Sequence, residues 1–328
     1  MATTIDEQLT KYLTDAHSLE EQALVQMRMA PKLAGDDELE AIFRQHLAET
    51  GSHERRIAER LEAHGARPAK LKEAVMKAGG LGFALFARSQ PDTPGKLVAH
   101  AYSYEHLELA SYELLMRVAE RARDEETAAA ARGIREQEEA MAKRLEASFD
   151  RAADASLRAK GTSDPGQDLV KYLADAHAIE AQAIQLLERA PAIAGDPELE
   201  GVYRDHLDET RDQQRRVAER LRALGGQPNK LKDAAMRLGA LNWGTFFQSH
   251  PDTPGKLAAF AYAFEHLEIA SYELLRRVAV RARDEETAEL ASAIADEERA
   301  AAATIASSWD RAVDASLREV GVPAGAGA

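Results

Sequence analysis

The stretch EHLELASYELL, Glu105–Leu115, decides the fold, because it returns as EHLEIASYELL at Glu265–Leu275. The two copies lie 160 residues apart and differ at one position. Shifting the whole chain by that distance aligns further segments, such as KYLTDAHSLE with KYLADAHAIE and RARDEETA with itself. A self-similar period of this length is the size of a domain, so the sequence is a tandem duplication of one unit.

Each unit is rich in Ala, Leu, Glu and Arg and shows no alternation of β-branched residues, which predicts helices. In the first copy we predict helix A over about 4–33, helix B to about 64, helix C to about 122 and helix D to about 158. Asp36 and Asp124 are the predicted caps of helices B and D. Short turns join A to B and C to D, and a long segment joins B to C. The predicted fold is therefore all-α: two tandem ferritin-like four-helix bundles, each with a long B–C crossover containing short helices.

The boundaries follow from the repeat and from runs of turn-forming residues. We predict a first bundle over 1–159, called repeat 1, and a second over 168–318, called repeat 2. KGTSDPGQ, residues 160–167, is the predicted linker, and residues 319–328 are predicted to form a disordered tail.

Charge, cysteine content and hydropathy exclude several kinds of partner and site. The 328 residues carry a formal net charge of −14, which argues against nucleic acid as a partner. The chain has no cysteine, so disulfides, thiolate metal ligands and cysteine nucleophiles are excluded. The N-terminus MATTIDEQLTKYL does not resemble a signal peptide, and no apolar run is long enough to span a membrane. We therefore expect a cytoplasmic protein that does not bind membranes.

Acidic residues interrupt the apolar stripe of every predicted helix near its middle. At about 1.5 Å per residue, these acids lie level with one another, roughly 20 Å from the A–B and C–D turns. A lone glutamate on such a stripe is commonly an edge residue, but the coincidence on four helices and in both copies favours a site. The predicted metal ligands are Glu20, His46, Glu49, Glu105, Glu108 and Glu138 in repeat 1 and Glu180, His206, Glu209, Glu265, Glu268 and Glu298 in repeat 2.

Five carboxylates at one depth of a bundle core repel one another and are costly to bury. Protonation of the carboxyl groups is one solution, and a bound pair of divalent cations is a simpler one. Oxygen-rich sites with one or two imidazoles suit iron or manganese, so we predict two such ions per repeat.

The motifs YLxDAHxxE, HLxET and EHLExAxYELL resemble the YciE/YciF-type family of ferritin-like proteins, within the ferritin–rubrerythrin group. The resemblance covers nearly all of each copy. It implies a four-helix bundle with a dinuclear iron or manganese carboxylate site, an association with bacterial stress responses, and pairing of the two repeats as a pseudo-dimer. Under this resemblance the glutamates named above match the ligands of helices A to D, with Glu108 and Glu268 matching an extra rubrerythrin-like glutamate.

The chain departs from the ferritin pattern at the nitrogen ligands. That pattern is Glu-x-x-His on helices B and D, but the third residues after the glutamates here are Ser52, Asp212, Met141 and Ala301. His46 and His206 instead precede a glutamate by three residues, and we favour them as nitrogen ligands over a buried, hydrogen-bonded role.

Three further histidines remain weaker candidates. His53 lies on the same face of helix B, but Gln213 replaces it in repeat 2, so the two sites are expected to differ. His17 and His177 precede the helix A glutamate by three residues, toward the edge of the stripe.

Two functions stay open on the sequence alone. One is a redox-active dinuclear protein that reacts with O₂ or peroxide as an oxidase, peroxidase or ferroxidase, with Tyr112 and Tyr272 as hydrogen-bonded core residues or redox participants. The other is a non-enzymatic stress or scaffold protein that binds an unknown protein partner, with structural metals or degenerate sites. Cage-type iron storage is less favoured, because a fused tandem does not obviously form a shell.

Overall fold

The structure is a computed structural model that describes residues 3–67, 93–161, 164–228 and 253–322. Within these ranges every regular element is an α-helix, which confirms the predicted all-α fold of two tandem helical bundles. The chain divides after Lys160 into two compact units, and each unit is described by itself below. No helix within the described ranges is both long and apolar enough to cross a membrane.

The described part of repeat 1 contains four long helices and one shorter one. Helices α1 and α2 pack together, α3 packs on α1 and α4, and α4 also contacts α2. The last helix, α5, packs on α3. The bounds are α1 Ile5–Leu33, α2 Asp37–Ala63, α3 Thr93–Arg121, α4 Glu125–Ala147 and α5 Phe149–Lys160.

Repeat 2 has the same arrangement, except that its first helix is interrupted after Leu187 and resumes as a short helix, α7. Helix α6 packs on α8 and α9, α9 packs on α10 and α11, and α10 contacts α8. The bounds are α6 Pro165–Leu187, α7 Ala190–Ile193, α8 Pro197–Ala223, α9 Thr253–Ala282, α10 Glu285–Ala306 and α11 Trp309–Glu319.

Local signals in the sequence set the ends of the helices. Thr4 and Glu7 form a capping box at the start of α1, and Asp36 accepts hydrogen bonds from the first backbone N–H groups of α2. Asp124 caps α4 in the same way, so both predicted aspartate caps are confirmed. The tight reversal between α1 and α2 uses Gly35 at φ 66°, a conformation that glycine adopts without steric cost.

The core of each bundle has apolar layers on both sides of a polar layer. In repeat 1, Leu9 and Leu13 lie on one side along α1 and Met27 on the other, all at most 1% exposed. Each fully buried side chain of this size contributes about 1.5–3 kcal/mol to folding. The apolar layers therefore hold the bundle together, and the polar layer between them must be explained by something other than stability.

The sequence predicts helix D as one continuous helix, and this prediction is wrong. The structure has two helices there, α4 and α5, separated at Ser148. The Ser148 hydroxyl donates to the Leu145 carbonyl at 2.7 Å, and α5 begins at the next residue. Serine hydroxyls compete for backbone groups in this way and so favour helix ends. The break lets α5 turn onto α3, where the Gly95 N–H donates to the Ser156 hydroxyl at 2.7 Å.

Three sequence predictions concern regions at the limits of the described ranges. The predicted short helices of the crossovers lie in 68–92 and 229–252, outside the described residues. Helix α6 begins at Pro165, inside the predicted linker, and α11 continues through Glu319 at the start of the predicted tail. The rest of that tail, residues 323–328, lies outside the described residues.

Candidate metal centre

Six titratable side chains from four helices meet in the polar layer of repeat 1. Each of them is at most 1% exposed. Helix geometry explains why α2 contributes two histidines, because residues seven positions apart return to nearly the same face of a helix. The six are Glu20 on α1, His46 and His53 on α2, Glu105 and Glu108 on α3, and Glu138 on α4.

These side chains form two groups that share one carboxylate. Ligand atoms of His46, Glu105, Glu108 and Glu138 lie within 4.8 Å of one another, and so do those of Glu20, His53 and Glu138. We call the first group position I and the second group position II.

Glu138 faces both positions. Its Oε2 lies 3.6 Å from His46 Nε2, and its Oε1 lies 2.7 Å from His53 Nδ1. His46 Nε2 also lies 3.1 Å from Glu105 Oε2, and His53 Nδ1 lies 3.8 Å from Glu20 Oε1. Glu138 therefore offers one oxygen to each of the two groups.

Burial and mutual repulsion set the charge of this layer. Burial and the nearby Glu138 raise the pKa of Glu20 from 4.5 to about 8, despite the neighbouring His53. Burial likewise raises the pKa of Glu138 to about 7 and that of Glu108 well above its usual value. The pKa of His46 is raised because Glu105 and the other carboxylates outweigh the effect of burial. Without a cation, part of this layer therefore holds protons at neutral pH.

The polar atoms of the layer lack the hydrogen bonds that buried groups normally make. Apart from the facing imidazoles of His46 and His53, no donor within the described residues bonds an oxygen of Glu105, Glu108 or Glu138. Orphaned buried carboxylate oxygens from three side chains, facing imidazole nitrogens, fit the donor set of a divalent cation. The residues of position I and of position II could therefore each hold a metal ion.

Repeat 2 reproduces position I. Ligand atoms of His206, Glu265, Glu268 and Glu298 lie within 4.8 Å of one another, and His206 Nε2 is 2.9 Å from Glu265 Oε2. The carboxylates beside His206 raise its pKa to about 9, although burial acts in the opposite direction.

Position II differs between the repeats. In repeat 2 a fully buried Gln213 stands at the sequence position equivalent to His53, and Glu180, equivalent to Glu20, is also fully buried. The Gln213 amide donates to Glu297 at 3.1 Å, while its carbonyl oxygen has no hydrogen-bond donor among the described residues. Burial raises the pKa of Glu180 to about 8. Repeat 2 therefore keeps the buried carboxylate equivalent to Glu20 but not the imidazole equivalent to His53.

The structure does not bring Glu49 and Glu209 into the clusters. Their side chains are 25% and 62% exposed, and each faces the Nδ1 atom of the preceding histidine, at 3.1 and 3.5 Å. Helical spacing is the reason, because a step of three residues turns about 60° away from the His46 face. Arg144 donates to Glu49 at 2.6 Å, so Glu49 links the imidazole to a cation at the bundle surface.

His53 is the site residue that the predicted ligand set left out. Its spacing of seven residues from His46 on one helical face was the signal for it, and its loss in repeat 2 argued against it. Residues at that spacing on a helix differ by only about 20° in direction, which is why both rings reach the same layer.

Both predicted tyrosines contact the centre through a carboxylate. The Tyr112 hydroxyl donates to Glu20 Oε1, and the Tyr272 hydroxyl donates to Glu180 Oε1. Each tyrosine is 1% exposed. Burial and the adjacent carboxylate raise the pKa of both phenols well above 10.0, so both hydroxyls keep their protons. The hydrogen-bonded role is thus met, and the redox role stays a prediction.

The fold and the site together define a class of protein: a tandem pair of helical bundles, each with a buried group of histidine and glutamate suited to divalent cations. Comparison with known families then gives the family. The family described as "Domain of unknown function (DUF892)" matches residues 4–158 and again residues 165–318, so the chain belongs to this family and carries its domain twice. No solved structure matches the chain.

Proposed function

We propose that each repeat is a ferritin-like domain of the YciE/YciF type that holds a dinuclear iron or manganese centre and serves in protection against oxidative stress. The observation that carries the proposal is the shared carboxylate Glu138, whose two oxygens face two separate groups of ligands. The family match over both repeats and the oxygen-rich, imidazole-containing donor sets support it.

In repeat 1, His46, Glu105 and Glu108 would hold one ion at position I, Glu20 and His53 would hold a second at position II, and Glu138 lies within reach of both groups. In repeat 2, His206, Glu265, Glu268 and Glu298 would hold one ion, and the proposed ligands of a second are the equivalents of position II, Glu180 and Gln213. When bound, a pair of iron or manganese ions supplies one-electron redox chemistry toward O₂ or peroxide.

The protein residues contribute binding, orientation and exclusion of water. Glu49 accepts from Arg144 and faces His46 Nδ1, which holds the imidazole with its Nε2 directed at the carboxylates. Tyr112 keeps its proton and donates it in a hydrogen bond to one oxygen of Glu20, leaving the other oxygen for a cation. The apolar layers on both sides keep bulk water out, so charges in the layer interact strongly.

Metal analysis of the full-length protein, prepared without chelators, tests this function. We expect near-stoichiometric iron or manganese, an anomalous-scattering pair within each bundle, and an optical change on addition of peroxide to the iron-loaded protein. The paired substitution Glu138→Gln and Glu298→Gln replaces one buried carboxylate in each centre at nearly constant volume and should abolish the optical change. Protein that folds but holds no redox metal would refute the proposal.

A second candidate function is a non-enzymatic scaffold in which metals serve only as structural staples. The replacement of the buried His53 by a buried Gln213 in repeat 2 is the observation that favours it. Replacing Glu105 and Glu265 with Ala separates the two functions. A scaffold keeps its stress protection wherever the variant remains folded, whereas a redox protein loses it.

A further inference from the structure

A second cluster of metal-binding side chains lies on repeat 1, outside the buried centre. Ligand atoms of His17, Glu21 and Glu54 lie within 4.8 Å of one another. His17 Nε2 is 3.0 Å from Glu54 Oε1, and the histidine side chain is 4% exposed while that of Glu54 is 22% exposed. The cluster thus combines a buried imidazole with two carboxylates that water can reach.

The cluster sits beside position II but faces away from it. Glu21 follows Glu20 on α1, and Glu54 follows His53 on α2. Neighbouring residues of an α-helix point about 100° apart, so the two carboxylates turn from the core toward the seam between α1 and α2. The two groups of ligands therefore share a level of the bundle without sharing a side chain.

Repeat 2 provides an internal comparison, because it keeps the imidazole and lacks both carboxylates. The equivalent residues are His177, Ala181 and Gln214. At this place the seam between α6 and α8 holds a cavity of about 300 Å³, lined by Ala181, Gln214 and Arg211 among others.

Positive charge at this seam also differs between the repeats. Arg211 replaces Gly51 and pairs with Glu188 at 3.3 Å, so repeat 2 has a fixed cation where repeat 1 has a glycine. Repeat 1 has Arg28 where repeat 2 has Glu188, and it carries Glu21 and Glu54 where repeat 2 has Ala181 and Gln214.

We propose that His17, Glu21 and Glu54 form a third divalent-cation site of repeat 1, which repeat 2 lacks. One nitrogen and two carboxylate donors suit a first-row divalent ion such as Mn²⁺, Fe²⁺, Co²⁺ or Zn²⁺, with water completing its coordination. Because two of the side chains are partly exposed, the ion exchanges with solution more readily than an ion in the buried layer.

Residues taken from repeat 2 provide the test. The double variant Glu21→Ala, Glu54→Gln copies repeat 2 into repeat 1, and its fold is checked by circular dichroism. Chelator-treated full-length protein is titrated with Co²⁺ by calorimetry and visible absorption. We expect this variant to bind one Co²⁺ fewer per chain than the parent, with the remaining sites unchanged. An unchanged number of bound ions overturns the proposal, and so does the loss of more than one.

The converse variant and a centre variant keep this outcome separate from that of the proposed function. Ala181→Glu, Gln214→Glu, Arg211→Gly installs the three-ligand cluster in repeat 2 and should add one Co²⁺ per chain. Glu138→Gln with Glu298→Gln impairs both buried centres and should leave the outer ion bound. If the buried centres bind nothing while Glu21→Ala, Glu54→Gln still removes one ion, the proposed function fails and the outer site stands.

Discussion

Removing the metal should reverse the pH dependence of stability of the protein. The prediction rests on Glu20 and Glu180, one buried carboxylate in each repeat. Burial raises the pKa of each from 4.5 to about 8. A carboxyl whose folded-state pKa is raised stabilises the fold below its unfolded-state pKa, and that stability is lost as pH rises toward the folded-state value.

The magnitude follows from linkage. Each rise of one pH unit between about 4.5 and about 8 lowers the free energy of unfolding by about 1.4 kcal/mol per group. The reason is that the unfolded chain has released a proton that the folded state still holds. Between about pH 4.5 and about pH 8, the contribution of one such carboxyl to the free energy of unfolding falls by about 5 kcal/mol. The pKa of His46 is also raised, and a histidine of this kind acts in the same direction.

Urea unfolding of chelator-treated protein at about pH 5.5 and about pH 7.5 measures the effect, which should be a loss of about 3 kcal/mol per carboxyl at the higher pH. With Mn²⁺ present the order should reverse, since the ion competes with protons for the same oxygens. Glu20→Gln with Glu180→Gln should flatten the slope of the metal-free protein. Metal-free stability that stays constant or increases over this range would refute the reasoning.

Three further predictions concern single side chains. Glu49→Gln should weaken metal binding at repeat 1 by about 10- to 100-fold, because it removes the partner that orients His46. Glu209→Gln should change the metal affinity of repeat 2 little, because the Glu209 side chain is 62% exposed. Both affinities are measured by calorimetry, and equal losses in the two variants would contradict this. His53→Gln should lower Zn²⁺ affinity more than Mn²⁺ affinity, because nitrogen ligands favour zinc, and a parallel loss of both in competition titrations would count against His53 as a ligand. Tyr112→Phe should destabilise the metal-free protein by about 1–3 kcal/mol in urea unfolding, because it leaves a buried oxygen of Glu20 without its donor; a variant as stable as the parent would show that this bond contributes nothing.

The duplication and the helical periodicity were sufficient to predict the fold. The match of Glu105–Leu115 with Glu265–Leu275 revealed two units, and the apolar stripes predicted helices whose acids lie level. The break at Ser148 escaped this reasoning, because its cause is a single hydroxyl bonded to the preceding turn.

The centre was predictable in composition but not in detail. The stripe pattern predicts which helices contribute acids, and the structure brings Glu105, Glu108 and Glu138 together as expected. Glu49 lies about 60° from the core direction, and a stripe read in steps of three or four residues does not resolve that angle. The contact between His17 and Glu54 joins two helices, so no periodicity within one helix reports it.

The difference between His53 and Gln213 means that the two repeats of one chain are not equivalent, and that their ratio is fixed. Because both residues belong to a single chain, every molecule carries one buried histidine and one buried glutamine at equivalent positions of its two repeats. An assembly of identical single repeats would present one kind of site throughout. Fusion fixes the ratio of the two kinds at one to one, whatever the amount of protein made and however dilute it becomes.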